Sequence, residues 1–335
     1  MKDPQRRSLR VGAAVIFCAV VLRLMSGGVL QPLLNAAQSP EAVSFLMYLE
    51  TGRVLPKDTQ PPETTDPEPV TTTAPAEADP GETLTLTGEE VSSLDIRYDG
   101  DYRPDLEQLL LEPLDWNLRS EEPTVLILHT HTTESYTRSD GEAYTESSAY
   151  RTLDEGYNML SIGDRVAELL EAGGVKVIHD RTLHDYPSYN GSYMDAREAM
   201  ERCLEQYPTV QLVLDLHRDA AEDGDGQMDT SAQVGGRESA QLMLVVGTDE
   251  GGLEHPEWQE NLSLALKLMA VLEQENEGIC RPLGLRTERF NQDLSPGALL
   301  IEVGAAGNTH PEALTAAQAL AEAILLLADG WQREN

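Results

Sequence analysis

The stretch VLILHTHTTESY, residues 125–136, passes from strongly apolar sequence into His129, His131 and Glu134. Imidazole and carboxylate hold divalent metals where thiolates are lacking, and a centre of that kind draws its ligands from more than one segment. Further along, His217 closes the apolar run VQLVLDLH (210–217), and Glu302 lies towards the end of ALLIEVG (298–304). Three apolar runs therefore each deliver His or Glu at their carboxyl ends. Two neutral imidazoles and a carboxylate are a ligand set typical of catalytic Zn2+, which keeps a fourth position open for water. A further carboxylate beside that water has the chemistry of a general base. The cysteines are Cys18, Cys203 and Cys280, with no CxxC knuckle and no disulfide framework, so His, Asp and Glu must supply any metal ligands. Ser135 lies beside the histidines without a G-x-S-x-G elbow, which argues against a serine hydrolase.

Such residues need a scaffold, and the hydropathy pattern supplies one. TVLIL (124–128), KVIH (176–179), VQLVLDLH (210–217), QLMLVVG (241–247) and ALLIEVG (298–304) read as buried strands. Amphipathic helices are predicted over 155–173, stopped by Gly173-Gly174, and over 195–207, 257–275 and 311–327. Strands alternating with helices predict an α/β fold: a mainly parallel twisted sheet with helices on both faces. Ligands of such sheets bind beyond the carboxyl ends of the strands, where His129, His131, His217 and Glu302 fall. Asp215 shares a strand face with His217 and is either a residue orienting it or a plain strand-end acid.

The formal charge of −34 over 335 residues argues against nucleic acid as a partner, because phosphate binding needs clustered Lys and Arg. Lys2, Arg6, Arg7 and Arg10 (a basic cytoplasmic tail, 1–10) precede an apolar run that, counted to Leu30, reaches the length of a bilayer core. We expect a single N-terminal anchor over 11–30 with the bulk of the protein extracytoplasmic; a cleaved signal peptide is the rival reading. A juxtamembrane segment (31–56) follows. Residues 57–90 are rich in Pro, Thr and acids and hold one lysine, the composition of an extended disordered linker. The folded unit is expected over 91–335.

HTHTTESY, HDYPSYNGSY (184–193), DLHRD (215–219) and NQDLSPGALLIEVGAAGNT (291–309) together resemble the stage II sporulation protein P family, over roughly residues 95–330. The resemblance implies a zinc N-acetylmuramoyl-L-alanine amidase-like enzyme. It would cut the amide between the glycan's lactyl group and L-alanine of the stem peptide, with a further endopeptidase activity on cross-links. It also implies peptidoglycan removal during forespore engulfment, beside the stage II sporulation protein D transglycosylase and a membrane partner. The alternative is an exported wall-binding or scaffold module that keeps the fold without turnover.

By the same resemblance His131, rather than His129, is the first zinc ligand and His217 another, while Glu302 is the catalytic glutamate that acts on water. The third ligand is Glu134, or else Asp154 or Glu155 by the spacing of the wider amidases. His129 is then a residue that orients a ligand or an inward strand side chain. Tyr186, Tyr189, Asn190 and Tyr193 make an aromatic, hydroxyl-rich loop suited to a sugar or peptide amide. Arg286 and Arg289 could take the carboxylates of a stem peptide or balance local acids. His179, His184, His255 and His310 are assigned no role.

Overall fold

A computed structural model describes residues 94–223 and 226–330. The basic tail, the anchor, the juxtamembrane segment and the linker expected from the sequence lie outside the described residues. In chain order the elements are β1 (Ile96–Tyr98), α1 (Leu106–Leu111), β2 (Val125–Leu128), β3 (Glu146–Ser148), β4 (Arg151–Thr152), α2 (Met159–Ala172), β5 (Val177–His179), α3 (Ser192–Gln206) and β6 (Leu212–Asp219). They continue as β7 (Glu222–Asp223), β8 (Gly226–Gln227), β9 (Ala232–Val234), β10 (Arg237–Ser239), β11 (Leu242–Gly247), α4 (Trp258–Glu275), β12 (Leu283–Arg286), β13 (Ala298–Ala305) and α5 (His310–Gly330).

The apolar runs form the sheet because both of their faces are covered. Every residue of β2, β6, β11 and β13 is buried, as central strands of α/β sheets are. Helix ends follow local chemistry. The Asn158 side chain accepts from the Leu160 amide to cap α2, which stops at Gly173 ahead of Gly174 in the left-handed region (φ 82°).

The seven-stranded sheet has the order β1-β12-β11-β13-β6-β2-β5. Every neighbouring pair is parallel except β11 and β13, which are antiparallel. The sheet is thus two parallel blocks of opposite direction. One (β13, β6, β2, β5) points its carboxyl ends to one edge; the other (β1, β12, β11) points them to the opposite edge. This refines the expectation of a mainly parallel sheet and has a direct consequence for Arg286. It ends β12 in register with Gly247, at the edge remote from Glu302, which pairs with Met243 at the start of β11. There it pairs with Asp99, so the sheet reversal separates it from the other candidate residues.

The two faces are covered unequally. One carries the main core, in which Val125, Ile127, Leu214, Leu216, Leu244 and Ile301 pack against α1, α2, α4 and α5. On the other, Leu126, Leu128 and Val213 meet Ala196 and Met200 of α3, while Met243, Val245 and Leu300 meet only Phe290. Alternation places Asp215, His217 and Glu302 on this second, thinly covered face. Helix α5 is long and apolar enough to cross a membrane by length and composition. It packs on α2 and α4 instead, with Leu320 and Ile324 fully buried, each such side chain contributing roughly 1.5–3 kcal/mol.

Candidate metal centre

Strand β2 ends at Leu128, and the chain turns at once over the carboxyl end of the sheet. Asp215 shapes that turn: Oδ1 accepts from the Thr130 amide (2.8 Å) and Oδ2 from the Thr130 hydroxyl (2.6 Å). The turn sets His131 and Glu134 beside His217. The two imidazoles cross edge to face with centroids 5.3 Å apart, and Glu134 Oε2 is 3.8 Å from His217 Nδ1. On the neighbouring strand Glu302 stands in register with His217. All four side chains are buried.

Electrostatics divides these residues into distinct states. Burial, with Arg151, His217 and Arg218 nearby, holds His131 well below the ordinary imidazole range, so it is a neutral lone-pair donor. Burial pulls His217 down too, but the Asp215 carboxylate, joined by Glu134 and Glu302, overrides it and lifts the imidazole to about 9. His217 Nε2 lies 2.9 Å from Asp215 Oδ1, out of line for a straight hydrogen bond. Three buried carboxylates around one imidazole create a site that favours positive charge.

By residue type, two imidazoles and a carboxylate are donors that zinc accepts. Among the described residues no group of three or more His, Cys, Asp or Glu is placed so as to hold a metal ion as it stands. The Glu134–His217 gap of 3.8 Å is, however, too long for a hydrogen bond and close to the ~3.4 Å that two ligands of one tetrahedral zinc keep. His131, Glu134 and His217 would hold the ion.

The other expected residues are distributed unevenly. Asp154 is exposed and accepts from the Gly156 amide within its own turn, and Glu155 is exposed and paired with Arg181. Neither joins the cluster, which Glu134 does. His129 Nδ1 donates to the Leu216 carbonyl (3.0 Å), and its Nε2 meets His179 Nε2 at 2.8 Å beside Gly163 of α2. Its ring thus serves the packing of α2 rather than contacting His131. Burial, followed by the His179 charge, depresses it to about 3. Tyr189 stacks on His131 (4.5 Å) with its hydroxyl 2.9 Å from His131 Nε2, and Tyr193 crosses the same imidazole at 5.5 Å. Tyr186 and Asn190 are exposed on the loop that carries them. Arg289 is engaged with Asp293 and the Glu254 carbonyl.

Four residues of the site went unread in the sequence. Ser192 Oγ is 3.3 Å from His131 Nδ1, and the Arg218 amide donates to Glu134 Oε2 (3.2 Å). Asp185 accepts from the amide and hydroxyl of Thr133 and, with Glu134, receives Arg151. Asp185, Ser192 and Arg218 sit inside the quoted motifs HDYPSYNGSY and DLHRD, which was a usable signal. Arg151 sits in none.

The fold and the cluster define an α/β domain with a buried His-Glu-His centre at a sheet edge. Residues 45–325 match the sequence model of the family described as Stage II sporulation protein P (SpoIIP), so the chain belongs to that family. Stage II sporulation protein P of Bacillus subtilis (strain 168) is 28% identical over 220 residues, 60% of this chain and 50% of that protein. The chain thus spans about half the length of the curated relative it matches. Among solved structures, the N-acetylmuramoyl-L-alanine amidase from Clostridium difficile 630 aligns over 64% of this chain and 100% of its own, at 15% identity and a TM-score of 0.38. The amidase AmiC2 of Nostoc punctiforme aligns over 60% and 95%, at 17% identity and a TM-score of 0.36.

Proposed function

We propose that the chain is a zinc-dependent peptidoglycan hydrolase that cleaves the amide between N-acetylmuramic acid and L-alanine, with peptide cross-links as a further substrate. The observation that carries this reading is the meeting of His131, Glu134 and His217 in one buried cluster with Glu302 in register beside it. Membership of a sporulation family supports the wall as substrate and forespore engulfment as the setting. An N-terminal anchor over 11–30, a partner transglycosylase (stage II sporulation protein D) and a membrane partner belong to the same proposal.

In this mechanism His131 and His217 bind as neutral imidazoles and Glu134 as a carboxylate. Bound zinc supplies Lewis acidity towards water and towards the amide carbonyl. Glu302 takes the proton of the attacking water as the C–O bond forms, then delivers it to the amine nitrogen as the C–N bond breaks. Asp215 holds His217 in place and receives the adjoining loop at Thr130. Tyr189 and Tyr193 line the imidazole side, where a sugar or peptide amide would lie.

Purified sacculi digested with the protein test this reading through the new chain ends identified by mass spectrometry. Free L-alanine amino termini are expected. Cleaved cross-links alone would reassign the bond, and no new ends would leave a binding module. His131→Ala and His217→Ala are expected to lose bound zinc and turnover together. Glu302→Gln should keep zinc while losing at least ~10²-fold in rate. Full activity in a metal-free Glu302→Gln protein would end the proposal.

A further inference from the structure

Arg151 belongs to no motif that suggested chemistry, yet it touches both halves of the centre. It stands on β4, where an isolated bridge pairs it with Glu134. Its Nη2 reaches Glu134 Oε1 at 3.3 Å, and its Nη1 pairs with the Asp185 carboxylate. The guanidinium also lies 4.6 Å over the ring of Tyr189, whose hydroxyl meets His131.

An arginine among acids is ordinarily a solvated counter-charge of small consequence. Burial sets this one apart: the side chains of Glu134 and Asp185 are 5% and 0% exposed, and that of Arg151 is 18% exposed. A carboxylate so enclosed needs its compensation in a fixed place. The geometry is also selective. Arg151 takes Glu134 Oε1, leaving Oε2 to the Arg218 amide (3.2 Å) and to the side facing His217. A planar fork can span two carboxylates in this way, where an ammonium serves one point. The backbone is built for the contact. Tyr150, which precedes Arg151, holds a left-handed φ of 54°, and its carbonyl accepts from the Ser135 amide (2.9 Å) and Arg218 Nη2 (2.7 Å).

We propose that Arg151 is a positioning residue for metal binding, fixing Glu134 as a ligand and, through Asp185 and Tyr189, tying the 184–193 loop to the same geometry. This rests on the reading of His131, Glu134 and His217 as zinc ligands. Without Arg151 the Glu134 carboxylate keeps the Arg218 amide on Oε2 but loses its partner on Oε1, and the loop loses its link to the ligand. Groups that orient metal ligands in this manner are each worth about 10–100-fold in affinity.

The full chain is compared as wild type, Arg151→Met, Arg151→Lys and His217→Ala. Zinc affinity is measured by competition with a chromophoric chelator, and ligand geometry by the visible absorption of the cobalt-substituted protein. Arg151→Met is expected to bind zinc about 10–100-fold more weakly with a changed cobalt spectrum, and Arg151→Lys to fall between it and wild type. Wild-type affinity and spectrum in Arg151→Met would overturn the proposal. If that variant does not fold, Arg151→Lys decides, since an ammonium cannot hold both carboxylates; wild-type behaviour there overturns it equally. Unaltered zinc binding in His217→Ala would instead remove the ligand reading beneath it.

Discussion

Glu134 and Glu302 are the same residue type on the same sheet edge, and their surroundings differ. Glu134 is bound on both oxygens by Arg151 and the Arg218 amide, which suits a fixed ligand. Glu302 sits on a strand in register with His217, and is the carboxylate proposed to carry the proton. Burial has a measurable cost elsewhere, at Lys267 of α4. Its Nζ donates to Ser263 Oγ (2.6 Å) and the Leu109 carbonyl (2.7 Å). Burial, against a weaker pull from Glu112, lowers its pKa from 10.5 to about 8. The folded state therefore binds fewer protons than the unfolded one between those values. Stability should rise as pH climbs from about 8 towards 10.5, and the charged form should cost on the order of 3 kcal/mol below that window. Lys267→Met is expected to raise stability at neutral pH and to flatten the alkaline rise, because Ser263 Oγ still donates to Leu109 O. Urea unfolding at several pH values measures both; a wild-type pH slope in the variant would refute the assignment. At this scale strand position marked His217 and Glu302, while the preference for His131 over His129 came from the family resemblance. The structure brings the side chains of His131, Glu134 and His217 together with Glu302 in register beside His217. The sequence was silent on Arg151, because an isolated arginine in a polar loop has no periodicity to mark its partners, which lie 17 and 34 positions away.

Elements show the same division. The buried runs of β2, β6, β11 and β13 and the four long helices were read to within a few residues, since their periodicity is strong. β1, α1 and β12 were not. They span 3, 6 and 4 residues, and β12 (LGLR) carries a glycine and an arginine that dilute any strand pattern. Direction was also hidden, because a strand buried on both faces reads alike whether its neighbour runs with it or against it. Arg286, read only as an arginine that could take a stem-peptide carboxylate or balance local acids, falls at the remote edge as a result. Within α2, Gly163 supports a sharper expectation. A Cβ there would come within 2.5 Å of His179 Nε2 and 2.6 Å of His129 Nε2. In an ordinary helix interior Gly→Ala gains ~1 kcal/mol. Here overpacking of about 1–3 kcal/mol opposes it, so Gly163→Ala should lose that gain and be net destabilising by up to roughly 2 kcal/mol in urea unfolding. The penalty should shrink in a His179→Ala background, where one ring has gone; an equal penalty in both backgrounds would contradict the steric explanation.

At the scale of the described residues, most of the apolar content lies in one large core, with two smaller clusters on the other sheet face. Helix α5 is the clearest case, being apolar enough for a bilayer yet enclosed by α2 and α4. Leu320→Ala is expected to cost about 2–5 kcal/mol in chemical denaturation, as for any leucine with no exposed surface; a negligible loss would speak against a core helix. The reversal of strand direction between β11 and β13 has a practical counterpart. Connections that leave β1, β11 and β12 emerge at the edge of the sheet remote from His131, His217 and Glu302. Among them the turn at Gly252 is open: φ is 89°, nothing lies within 4 Å of where a Cβ would sit, and Leu253 beside it is 58% exposed. A fluorescent reporter or affinity handle spliced in after Gly252 would therefore sit at the far edge from the imidazoles, giving a tagged protein in which the proposed zinc binding could be tested without touching His131, Glu134 or His217.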